Sequence, residues 1–92
     1  MLNEYKEPIK LSKDEYVILK NIDKKYQCIA RDKDKNLYIY DKKPIKKNEC
    51  WDALRNMGNF ELFNHLFQFI KWEDEEPRLI EDLLKCEVIE DE

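Results

Sequence analysis

Ninety-two residues suffice for one modest hydrophobic core and are too few for two, so the chain reads as a single domain over 1–92. Hydrophobic residues at 42% and charged residues at 41% give enough apolar area to fold beneath a heavily solvated surface, which excludes a disordered or fibrous class. The apolar runs all fall short of the ~18 residues a spanning helix needs, and residues 1–7 are too polar for a signal-peptide core, so the expected location is the cytoplasm.

The net charge of −4 conceals a division. Residues 1–72 carry 15 Lys+Arg against 11 Asp+Glu, whereas residues 73–92 carry Arg78 and Lys85 against ten carboxylates. The acidic end disfavours duplex DNA and favours a basic partner surface. Cys28, Cys50 and Cys86 are odd in number, far apart and outside any CxxC spacing, which argues against a disulfide framework or a zinc cluster.

Residues 1–10 contain Pro8 and no steady period, as expected of a lead-in arm. Ser12-Lys13-Asp14-Glu15 has the form of a capping box, in which the Ser12 hydroxyl and the Glu15 carboxylate each accept from the other residue's backbone N–H. A helix is predicted over about 13–22, with Tyr16, Leu19 and Ile22 as its apolar stripe; the β-branched pair Val17-Ile18 makes a strand the rival.

Tyr26 to Arg31 and Asn36 to Tyr40 are rich in strand formers and are joined by the polar string from Asp32 to Asn36, predicting a β-hairpin over about 26–41. Pro44 ends the second strand because it cannot donate to a ladder. Residues 45–59 admit either a short helix stopped by Gly58 or a third strand through Trp51.

From Phe60, the polar residues Glu61, Asn64, His65 and Gln68 fall at i, i+3, i+4 and i+7 among apolar neighbours, predicting a largely buried helix over about 60–70. Residues 68–73 could be helical or extended. Beyond Pro77, the stripe Leu79, Ile80, Leu83 and Leu84 predicts a last helix over about 77–86, and 87–92 reads as a fraying acidic tail. The expected fold class is α+β, a two- or three-stranded antiparallel sheet packed against two or three helices.

Chemistry-bearing patterns are sparse. Asp32, Asp34 and Asn36 match the opening of an EF-hand loop, but Leu37 stands where its glycine belongs and Lys43 where its final glutamate belongs. His65 is the only histidine and has no motif-spaced nucleophile. A single glycine makes phosphate-cradling loops unavailable. The expectation is a non-enzymatic protein with no metal, no cofactor and no evident small-molecule substrate.

Two surfaces remain. Arg31, Tyr38, Tyr40, Lys42 and Lys43 could form a basic stacking face for nucleic acid. Glu73, Asp74, Glu75 and Glu76, with Glu81 and Asp82 beyond, exceed what complementing a helix N-terminus requires, and Trp72 beside them could anchor a protein partner.

Ile29-Ala30-Arg31-Asp32, Leu37-Tyr38, Lys43-Pro44 and the block from Leu66 to Pro77, LFQFIKWEDEEP, resemble a group of small phage and prophage proteins of low-GC bacteria over residues 11–85. Members of that group usually carry glycine in the hairpin turn where this chain has Lys35. The resemblance brings no assigned activity and no functional residues. What it implies is a setting, in which small acidic phage proteins occupy a functional surface of a host protein, as inhibitors of host defence such as anti-CRISPRs do. The resulting expectation is an accessory protein that binds a basic surface of a host protein through Trp72, Glu73, Asp74, Glu75, Glu76, Glu81 and Asp82. The alternative is a small nucleic-acid-associated regulator using the hairpin.

Overall fold

A computed structural model describes residues 9–52 and 59–89 and gives an α+β fold. Its centre is the predicted hairpin. Strand β2 (Cys28–Arg31) pairs antiparallel with β3 (Leu37–Tyr40), with Ile29 opposite Ile39 and Arg31 opposite Leu37. The turn uses its polar residues as backbone partners: Asp34 Oδ1 accepts from the Asn36 N–H at 3.0 Å, and the Lys35 N–H donates to the Asp32 carbonyl at 2.9 Å. Lys35 sits at φ 79°, in the left-handed region where a glycine would carry no steric penalty.

Four residues of β2 in succession are buried because both faces of the sheet are covered. On one face, Ile29, Leu37 and Ile39 pack with Leu11, Leu19, Leu66, Phe67, Ile70, Ile80 and Leu83. On the other, Cys28, Ala30 and Tyr40 pack with Trp51, and Tyr38 and Trp72 flank them.

The helix predicted over 13–22 is α1 (Lys13–Asn21), entered through a complete capping box on Ser12 and Glu15. Leu19 is its buried residue, and Tyr16, Ile18 and Ile22 close over the same core. Ahead of it, β1 (Lys10–Leu11) pairs in parallel with β8 (Glu87–Val88). Lys10 is therefore part of the fold rather than of a lead-in arm, and the first two residues of the expected fraying tail are paired. Leu11, fully buried, supplies the apolar reason for that pairing. Strands β4 (Ile45–Lys46) and β5 (Trp51–Asp52) form a small hairpin, so of the two alternatives for 45–59 the described part is extended; residues 53–58 lie outside it.

The helix expected over 60–70 does not form. Strand β6 (Asn59–Leu62) extends the central sheet on the outer side of β3, with Phe60 opposite Ile39. Residues 63–74 then run through successive turns, closed by Leu66 N–H to Phe63 C=O, Ile70 N–H to Phe67 C=O and Asp74 N–H to Lys71 C=O. Segment 68–73 is neither helix nor strand. Phe67 has φ 53°, incompatible with a right-handed helix, and its side chain is fully buried.

The last expected helix, 77–86, shrinks to α2 (Ile80–Leu83). Its first turn is claimed by β7 (Arg78–Leu79), which pairs with the other edge of β2, and the Ile80 N–H donates to the Gln27 carbonyl at 2.9 Å. The Leu79 cap offers no side-chain acceptor, so nothing draws the helix back toward Pro77. The central sheet order is β6-β3-β2-β7, wholly antiparallel.

Candidate functional site

The acidic segment is a folded loop organised around one cation. Lys46 Nζ donates to the carbonyl oxygens of Trp72 at 2.6 Å and Asp74 at 2.8 Å. The same ammonium lies 4.3 Å from the Trp72 ring centroid and 5.5 Å from that of Trp51. Strand β4 thus places one cation where two indoles and two carbonyls converge. Trp72 is half-buried against the second core face, so its ring is partly committed to the fold rather than displayed whole to a partner.

The carboxylates divide by what they touch. Asp74 turns inward: its Oδ2 accepts from the Lys71 N–H at 3.2 Å and lies 3.7 Å from Arg78 Nε. Glu76 pairs with Lys43 at 2.8 Å across an exposed surface, and the hydrogen bond to Glu76 raises the Lys43 pKa. Exposed ion pairs of this kind contribute little to stability. Glu73 and Glu75 stand exposed on the loop, and Glu81 and Asp82 are exposed on α2.

The basic hairpin does not present the face expected of it. Arg31 is 7% exposed and points into the first core. Its Nε donates to Ile70 C=O at 2.6 Å, its Nη1 to Lys35 C=O at 2.9 Å and Asn64 C=O at 3.0 Å, and its Nη2 to Leu66 C=O at 2.8 Å and Phe67 C=O at 3.0 Å. All five guanidinium donors are spent on backbone carbonyls, and burial lowers the Arg31 pKa. Tyr40 is buried too, its hydroxyl donating to Trp51 C=O at 3.3 Å. Of the five residues considered for nucleic acid, only Lys42, Lys43 and the half-buried Tyr38 reach the surface. Arg31 and Tyr40 belong to the core because β2 and β3 are covered on both faces.

The EF-hand-like carboxylates are likewise committed to backbone: Asp32 Oδ1 accepts from the Trp51 N–H at 2.9 Å, and burial raises its pKa despite that bond. Among the described residues, no group of three His, Cys, Asp or Glu side chains could hold a metal ion. His65 is exposed, with the Phe63 ring 6.0 Å from its own. Cys28 is buried and its thiol pKa raised by that burial.

The sequence reading missed the roles of Arg31 and Lys46. The alternation that puts Ile29 on the apolar face puts Arg31 there also, which was a legible signal. Lys46 gave none, because its partners are 26 and 28 residues away. Comparison with protein-family models, curated proteins and solved structures returned no match.

Proposed function

We propose that this chain is a non-enzymatic phage or prophage accessory protein that docks on a basic surface of a bacterial host protein. The contact is made by Glu73 and Glu75 on the Lys46-centred loop, continued by Glu81 and Asp82 on α2. The observation that carries this reading is the division of the acidic segment. Asp74 and Glu76 bind within the molecule, while Glu73, Glu75, Glu81 and Asp82 remain exposed.

Crowded like charges cost stability when they face only water, and that cost is recovered on meeting a surface of opposite sign. A loop already fixed by Lys46 loses little conformational entropy on docking. The phage setting rests on the resemblance carried by the LFQFIKWEDEEP block, which includes the loop itself. The test is affinity capture from host lysate with the wild type and a Glu73→Lys/Glu75→Lys/Glu81→Lys variant. The reading expects a host protein retained by the first and released by the second; equal retention by both would refute it.

A further inference from the structure

A groove of about 710 Å³ runs between the β2–β3 turn and the 64–73 segment, on the side of the molecule where Arg31 is buried. Lys33, Lys35 and Lys71 are exposed along it, and Trp72 walls it. Its lining holds these lysines and Arg31 against Asp32 and Glu73, an excess of two positive charges in a chain whose net charge is −4.

The Arg31 charge matters although its N–H groups are occupied. Every partner is a neutral carbonyl, so the guanidinium is solvated by dipoles and keeps its positive charge beside the groove. The walls are pre-formed. Asn64 ties the two sides together, donating through Nδ2 to Asn36 Oδ1 at 2.7 Å and accepting at Oδ1 from the Leu37 N–H at 3.2 Å. Gln68 Nε2 braces the far side through His65 C=O at 2.9 Å.

We propose that this groove binds a small phosphate monoester carrying a planar ring, with the phosphate among Lys33, Lys35 and Lys71 and the ring against Trp72. The charge excess matches a phosphate dianion, and the volume lies in the range that takes a ligand of mononucleotide size. The aromatic wall distinguishes such an ester from a bare anion.

The test is a titration of the full ¹⁵N-labelled chain with adenosine monophosphate, phenyl phosphate and orthophosphate, followed by amide and indole shifts. Saturable shifts at Lys33, Lys35, Lys71 and Trp72 are expected with the two esters, and weaker binding with orthophosphate. Tighter binding of adenosine monophosphate than of phenyl phosphate identifies a nucleotide, and the reverse order identifies a simpler aromatic ester. Changing Lys33→Ala and Lys71→Ala, both exposed, should lower ester affinity about tenfold or more with Tm unchanged. Absence of saturable shifts, orthophosphate binding as tight as the esters, or an unaltered affinity in the double variant would overturn the proposal.

Discussion

The Nη2 group of Arg31 donates to the carbonyl oxygens of both Leu66 and Phe67, at 2.8 and 3.0 Å. With its other donors on Ile70, Lys35 and Asn64, one side chain from the central hairpin fixes residues 64–70 of the turn-rich segment that replaces the expected helix. The guanidinium does for 64–70 what a ladder of backbone hydrogen bonds does for a helix. Replacing Arg31 with alanine leaves several carbonyls unpaired, and a lysine cannot reproduce the fork. Arg31→Ala is expected to lower unfolding free energy by about 3–5 kcal/mol and Arg31→Lys by about 2–4 kcal/mol in urea denaturation. A loss below about 1 kcal/mol for alanine would show that the segment is held by packing alone.

Glu15 bonds in two directions: Oε1 accepts from the Ser12 N–H at 3.0 Å, and Oε2 accepts from the Phe67 N–H at 2.6 Å. A carboxylate recruited to cap α1 therefore also pins the left-handed Phe67. Ser12→Ala is expected to cost about 1 kcal/mol, the ordinary loss of a cap. Glu15→Ala should cost about 2–3 kcal/mol, because it strands the Phe67 N–H as well. Equal losses in the two variants would remove Phe67 from the account.

Tyr40 makes stability sensitive to alkaline pH. Burial, seconded by the negative charge of Asp32, pushes its phenol well above the ordinary value of 10.0. The folded chain then holds the phenolic proton after the unfolded chain has released it. The corresponding stability is complete below about pH 10 and is lost as pH climbs through the raised folded-state value. Buried Cys28, raised from 9.0, acts in the same direction from slightly lower pH. Between about pH 8 and about pH 11, Tm of the wild type should fall more than that of Tyr40→Phe, even though the variant starts lower for want of the bond to Trp51. Parallel curves would exclude Tyr40 as the source.

Lys46 is the third internal anchor. Lys46→Met keeps the stem and removes the ammonium that bridges Trp72, Asp74 and the two indoles. Hydrogen exchange at residues 71–76 should accelerate, with a stability loss of about 1–2 kcal/mol. Unchanged protection there would mean that the acidic loop keeps its shape without the cation.

These anchors explain which parts of the fold were legible. The capping box on Ser12 and Glu15 and the strands around Asp32–Asn36 are local features, so α1 and the hairpin could be read from adjacent residues. The helical spacing of Glu61, Asn64, His65 and Gln68 was coincidental. Asn64 and Gln68 point at turn carbonyls and at Asn36, and the conformation of the segment is imposed by Arg31, at least 33 positions away. The pairing of Glu87–Val88 with Lys10–Leu11 is similarly remote and carries no local turn signal. At the candidate site, the run of carboxylates was visible. Its division into inward Asp74, paired Glu76 and outward Glu73 and Glu75 depends on the nearby Arg78 and, above all, on Lys43 and Lys46, which are remote in sequence and brought up only by the tertiary structure.

The proposed contact with a host protein runs through the outward carboxylates. Its most direct test is the affinity of the captured host protein for three forms of the chain, measured across a range of salt. The forms are the wild type, Glu73→Lys/Glu75→Lys/Glu81→Lys, and a hairpin control, Lys42→Ala/Lys43→Ala. Charge reversal is expected to weaken binding at least about tenfold and to flatten its salt dependence, while the hairpin control stays within about threefold of wild type. Binding that survives the reversal of Glu73, Glu75 and Glu81 but is lost in the hairpin control would contradict this contact.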